Sequence, residues 1–176
     1  MNEYIMSDLY QCYGKKNFMT LCRGLIEDPG FNYMFWLRMC QRGGILKLIA
    51  LPIHKWKRTF GKINIGYKCQ IGYGFYIGHG GPCVVSDSAV IGNNCNISQF
   101  VTIGSNEGKS ATIGNNVYIG PSVCIIENVL IGDNVTIGAG AIVVKDIEDN
   151  ATIVGNPARI VNMNQPGRFI KNRWIN

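Results

Sequence analysis

The chain has 176 residues, of which 47% are hydrophobic and 16% charged, with a formal net charge of +6. That balance excludes a disordered chain, and the length fits a single core with a small appended element. Seven cysteines without a C-x-x-C pair indicate neither a zinc knuckle nor a disulfide framework, and a reducing cytoplasm is the compartment they imply.

In chain order, residues 1–10 carry Glu3 and Asp8 and lack the basic-then-apolar pattern of a secretory leader. The spacing predicts short helices over 3–13 and 17–27. Asp28-Pro29 is a start signal for a third helix over 30–41, which Gly43-Gly44 ends. A further helix is expected over 45–60, kinked by Pro52, with His54 exposed among Lys55, Lys57 and Arg58. The longest apolar stretch, 45–53, contains Lys47 and is too short to span a bilayer. Residues 1–60 are therefore read as a helical cap that covers an open strand edge.

From residue 65 to residue 143 the chain repeats every six residues. Aliphatic side chains recur at Ile65, Ile71, Ile77, Val85, Ile91, Ile97, Ile103, Ile113, Ile119, Ile125, Ile131, Ile137 and Val143. Glycine follows most of them, and a small or apolar residue such as Cys69, Ala89, Cys95 or Val101 lies four positions on. A six-residue period fits neither an amphipathic helix nor a two-sided strand; it fits a parallel β-solenoid with one strand and one turn per hexad. Three hexads close one coil, so these positions predict somewhat more than four coils. Asn93-Asn94, Asn115-Asn116 and Asp133-Asn134 fall at corners, where such residues tolerate left-handed dihedrals. The resulting division is a cap over 1–60, a solenoid over 61–162 and a tail over 163–176.

Two phase shifts break the period: two extra residues within His79-Gly80-Gly81-Pro82-Cys83, and four within Ser105-Asn106-Glu107-Gly108-Lys109-Ser110. Insertions in a solenoid are either tolerated surface loops or parts of a binding face, and the first carries one of only two histidines. No acid lies between Asp28 and Asp87, a span that holds Arg38, Arg42, Lys47, Lys55, Lys57, Arg58, Lys62 and Lys68. This is either a solvated basic surface or one for an anionic ligand or membrane face. Without a stacking platform or groove-reading helix, nucleic acid is excluded as a partner.

The stretch from Ile77-Gly78-His79 to Ile103-Gly104, with Ile137-Gly138-Ala139-Gly140-Ala141 and Gly155-Asn156-Pro157-Ala158-Arg159, resembles the left-handed β-helix (hexapeptide-repeat) acyltransferases. Asp28-Pro29-Gly30-Phe31, Phe35-Trp36-Leu37-Arg38 and Asn96-Ile97-Ser98-Gln99 resemble the serine-acetyltransferase-like branch, especially members acting on surface polysaccharides. The resemblance implies left-handed coiling, a homotrimer with active sites between prisms, acetyl-CoA as donor, no metal, and His79 as general base. It implies donor-binding roles for Gly104, Ser105, Gly120, Pro121, Ala139, Gly140, Lys145 and Arg159. Where serine acetyltransferases carry an acid that orients the histidine, this chain has Asn64. Where they carry an arginine–histidine pair on the arm, it has Lys109-Ser110. Asp87, Glu107 and Lys109 are the expected acceptor contacts. With the ionic clamp for an amino acid missing, the expected reaction is O-acetylation of a sugar hydroxyl, on a glycan or precursor that is lipid-linked at the inner membrane face. Serine O-acetylation for cysteine synthesis and a non-catalytic scaffold are the alternatives. Metal-dependent solenoid enzymes need three histidines, and the chain has two.

Overall fold

The computed structural model describes residues 2–175. Four helices come first: α1 (Glu3–Tyr13), α2 (Phe18–Glu27), α3 (Pro29–Arg42) and α4 (Gly44–Phe60). Local chemistry sets their ends. Asn17 Oδ1 accepts from Thr20 N (2.9 Å), and Asp28 Oδ1 accepts from Phe31 N (2.9 Å), with Pro29 at the first helical position. Pro52 lies inside α4, which runs through it as one element. The Leu48 carbonyl that loses its usual donor there belongs to an exposed residue and can bond water.

The solenoid follows. Its first coil is β1 (Ile63–Ile65), β2 (Gln70–Ile71) and β3 (Tyr76–Ile77), and its second is β4 (Cys83–Val85), β5 (Val90–Ile91) and β6 (Asn96–Ile97). The third is β7 (Thr102–Gly104), β8 (Thr112–Ile113) and β9 (Tyr118–Ile119); the fourth is β10 (Cys124–Ile126), β11 (Leu130–Ile131) and β12 (Thr136–Ile137). A fifth coil is made by β13 (Ile142–Val143), a parallel bridge at Ile147 and β14 (Thr152–Val154). This agrees with the expectation of somewhat more than four coils; the step from Val143 to Ile147 is four residues, so the last turn does not appear in a six-residue period. Strands stack into three faces, β1-β4-β7-β10-β13, β2-β5-β8-β11 and β3-β6-β9-β12-β14, and an antiparallel β15 (Arg159–Asn162) closes the edge of the third face.

The core is three aliphatic columns, one per face, such as Ile77, Ile97, Ile119, Ile137 and Ile153, all buried. Each buried isoleucine contributes about 1.5–3 kcal/mol relative to exposure. Cysteine, alanine and valine fill the narrow sites between columns, and Phe75 takes such a site only in the first coil, within the same cluster as Met34 and Leu37 of α3.

That first coil would expose unpaired backbone groups, and the cap satisfies them with side chains. Arg38 donates from Nη1 to Ile71 O (2.7 Å) and from Nη2 to Gly72 O (2.6 Å). Gln41 Nε2 donates to Cys69 O (2.9 Å). Gly74 N donates to Ser7 Oγ (2.9 Å), Phe75 N to Asp8 Oδ1 (2.8 Å), and the Tyr33 hydroxyl both donates to Ile65 O (2.7 Å) and accepts from Ile65 N (3.1 Å). Arg38, counted above with the basic surface, is instead fully buried and paired with Asp8 at 2.9 Å. His54, expected to be exposed, is also buried; it shares the inward side of α4 with Ala50 and packs against Tyr33, with ring centroids 5.1 Å apart. Burial, then the nearby Arg58, lowers its pKa from the ordinary value, so the neutral ring is favoured.

The tail returns along the prism towards the cap. Gly167 N donates to Asn134 O (2.7 Å), Phe169 packs on Tyr118, Asn172 Nδ2 donates to Gln11 O (3.2 Å) and Trp174 N donates to Asn94 Oδ1 (2.7 Å).

Candidate active site

Where the chain passes from the third face to the first, the opening corner differs from the later ones. It begins with a single 3₁₀ turn, Gly78–Gly80, in which His79 has φ 61° and ψ 4°. A left-handed, non-glycine residue costs about 1–2 kcal/mol, and its surroundings must hold it there. The start of α3 does so. A Cβ on Gly80 would stand 2.8 Å from Pro29 Cβ, and one on Gly30 would stand 2.5 Å from Ile77 O. Only glycine permits this approach of the helix N-terminus to the turn. The His79 imidazole is exposed, and no residue among 2–175 hydrogen-bonds to it.

Asn64, on the outer side of β1, accepts from Arg58 Nε at 2.6 Å. Its side chain is thus engaged by α4 and not by the imidazole. Arg58 also approaches Asp87 Oδ1 at 3.8 Å, which places Asp87 at the corner between the first and second faces.

The longer insertion leaves the prism at that same corner. Glu127 of the next coil organises it: Ser105 Oγ donates to Glu127 Oε2 (2.5 Å), Asn106 N to Oε1 (3.1 Å), and Glu107 N to Oε2 (3.4 Å). Sequence reasoning missed Glu127. Its only signal is its register: it stacks one coil from Ser105, at a corner where the other coils carry Tyr67, Asp87 and Lys145. Ser105, expected to meet the donor, spends its hydroxyl on this carboxylate. Glu107 and Lys109 are exposed at the tip, and Ser110 N donates to Ser88 Oγ (3.0 Å) at the base.

These bonds, Ser105 first and then the Asn106 N–H, lower the Glu127 pKa from its ordinary value. A carboxyl depressed in the folded state holds the arm above the unfolded pKa and lets go as pH falls through the folded one. Glu127→Ala is expected to speed amide exchange at Asn106 and Glu107 at neutral pH, and acid is expected to do the same to the wild type. Hydrogen-exchange mass spectrometry checks both, and unchanged exchange would show that the arm is held by other contacts.

The expected site residues thus divide. Gly120-Pro121 and Ala139-Gly140 lie on the His79 corner, two and three coils along. At the usual strand spacing that is about 10 and 14 Å from the His79 level. Gly104, Ser105, Asp87, Glu107, Lys109 and Lys145 lie on the other corner of the first face. The strand and loop residues between them put that corner on the order of 15–20 Å from His79 in the same chain. Arg159 is exposed at the β15 hairpin, with its Nη1 donating to Ala158 O (2.9 Å). Turn packing accounts for Gly120, where a Cβ would stand 2.8 Å from Ile137 O. Gly104 is different: it has no left-handed φ, and a Cβ there would meet nothing within 4 Å. Neither dihedral nor neighbour in this chain demands glycine at 104.

Beside Gly80 opens a cavity of about 360 Å³, lined by Pro29, Tyr33, Trp56, Lys57, Phe60 and Lys62. It puts two lysines and an aromatic wall next to the His79 turn. Among the described residues no cluster of histidine, cysteine or acid is set to hold a metal.

Residues 110–145 match the family model described as bacterial transferase hexapeptide (six repeats). The serine acetyltransferase of Bacillus pumilus is 33% identical over 123 residues, covering 68% of this chain and 57% of that protein. A solved serine acetyltransferase from Neisseria gonorrhoeae, in complex with serine, superposes with a TM-score of 0.76 at 30% identity, covering 89% of this chain and 67% of that one. The soybean serine acetyltransferase apoenzyme gives 0.76 at 29% identity, over 90% and 67%. The chain spans somewhat over half the length of the curated relatives it matches. These relatives overturn the expectation of a polysaccharide O-acetyltransferase with a glycan acceptor. That expectation rested on the missing arm clamp; Lys57 and Lys62 line the cavity beside Gly80, next to the histidine turn. The chain belongs to the hexapeptide-repeat acyltransferases, of the serine acetyltransferase type.

Proposed function

We propose that this chain transfers the acetyl group of acetyl-CoA to the hydroxyl of serine, with His79 as general base. The observation that carries the reading is the placement of an exposed histidine on a buttressed left-handed turn, at the head of the corner that also bears Gly120-Pro121 and Ala139-Gly140.

The imidazole takes the serine hydroxyl proton as the oxygen attacks the thioester carbonyl carbon. The oxyanion formed is stabilised by backbone N–H groups of the glycine-rich turns. Collapse breaks the carbon–sulfur bond, and the imidazolium returns its proton to the leaving thiolate, giving O-acetylserine and CoA. A histidine's ordinary pKa near neutrality suits both transfers. The pantetheine arm lies along the corner below His79, and Lys145 and Arg159 meet the phosphates. Lys57 or Lys62 receives the serine carboxylate, the role for which the arm of this chain has no arginine.

The catalytic unit is a homotrimer in this reading. The two halves of the site lie on opposite corners of the first face, too far apart to meet within one chain, and a neighbouring prism brings them together. Beyond Asn64 and Thr102 the outer side of that face is apolar: Val84 and Val144 are exposed, and Cys124, Ile126 and Ile142 are half-buried. Gly104 then leaves room for a donor or partner backbone.

Release of CoA thiol by the purified chain, with and without L-serine, tests the reading. Serine-dependent release is expected, and Lys62→Ala should raise the KM for serine by about tenfold with kcat little changed, the signature of lost uniform binding. Binding of CoA without serine-dependent turnover contradicts the acceptor; failure to bind CoA contradicts the enzyme reading altogether.

A further inference from the structure

One face of α4 is left uncovered by the described residues. Ile45, Ile49, Pro52, Trp56 and Phe60 follow at intervals of three and four residues and so form one ridge along the helix. The ridge is bare: Ile45 is 77% exposed, Ile49 59%, Trp56 62% and Phe60 75%, with Leu48 beside it at 71%. Ala50 and His54, on the opposite side, are the buried residues of this helix. A soluble helix ordinarily turns its apolar stripe inward; this one has a second stripe pointing out, about 25 Å long at 1.5 Å per residue.

Charge indicates what covers it. Lys55 and Lys57 flank the ridge, with Arg42, Lys47, Arg58, Lys62 and Lys68 near it in sequence, and residues 29–86 contain no acid. A second copy meeting the ridge about a two-fold axis would set lysines against lysines. An anionic lipid surface supplies the missing negative charge and takes up the isoleucine and tryptophan side chains together. Among the described residues no helix is long and apolar enough to cross a bilayer, so the contact is peripheral.

From these observations we infer that α4 docks the protein on an anionic membrane surface, the ridge entering the headgroup boundary and the lysines meeting lipid phosphates. This does not depend on the acetyl acceptor. Flotation of the full chain with vesicles of phosphatidylcholine, alone or with phosphatidylserine, tests it. Binding is expected only with the anionic lipid and is expected to fall in high salt. The variant Ile45→Ser/Ile49→Ser, which changes exposed side chains alone, is expected to weaken it by about tenfold or more. Lys55→Glu should weaken it too, and both variants should keep the wild-type circular dichroism and thiol-release activity. The inference is overturned if the wild type floats with neither vesicle, or if binding ignores the substitutions. It is equally overturned if the serine substitutions lower the oligomeric state while lipid binding is absent, which would make the ridge an interface between copies.

Discussion

His79→Ala is expected to lower the rate of acetyl transfer by about 10²–10⁴-fold, the usual worth of a positioned general base. The loss should fall on kcat and leave CoA binding unchanged, since the imidazole is exposed and no residue among 2–175 hydrogen-bonds to it. Alanine at φ 61° carries a backbone cost of its own. His79→Asn separates the two effects, because asparagine tolerates the left-handed region. If both variants lose activity alike while melting within about 2 °C of the wild type, the defect is chemical and not conformational. A variant that retained most of its activity would remove the histidine from the mechanism.

The largest expected effect on stability lies far from the histidine in sequence. Arg38→Ala would strand the Asp8 carboxylate in the interior and leave the carbonyls of Ile71 and Gly72 without their donor. Breaking a buried pair from one side costs about 3–5 kcal/mol, and for a chain of this size that lowers the melting temperature by about 10 °C or more. Burial raises the Asp8 pKa from its ordinary value, with the Arg38 charge and then its hydrogen bonds opposing the rise. The same pair ties α1 and α3 to the first coil, and the start of α3 holds the His79 turn. Activity should therefore fall at temperatures where the prism itself still shows its strand signal. A shift of less than about 2 °C in a thermal melt would mean that the cap is held by its apolar contacts alone.

The solenoid is legible because its core is one-dimensional: each inward aliphatic meets its counterpart a coil away, so the contact pattern is printed as a period. Helix starts are legible for the same local reason, since Asn17 and Asp28 act within three residues of themselves. What escapes is contact between distant segments. Asp8 and Arg38 are separated by 30 residues, and a count of charges along the chain assigns Arg38 to the surface. His54 sits beside Lys55, Lys57 and Arg58 in sequence but shares a helical face with Ala50, and the face decides its burial. Glu127 reaches back to a loop 20 to 22 residues earlier; the period stacks it over Ser105 but does not show the Asn106 and Glu107 amides turning onto its carboxylate. The acceptor was misjudged in the same way. The arm was read for a clamp, while Lys57 of α4 and Lys62 just after it line a cavity that Gly80 of the histidine turn also lines.

Transfer of a labelled acetyl group is the most direct test. Purified wild type, incubated with acetyl-labelled acetyl-CoA and L-serine at neutral pH, should form labelled O-acetylserine in step with CoA release, and His79→Ala beside it should form almost none. Equal labelling by both proteins, or CoA release with no label on serine, would contradict the account.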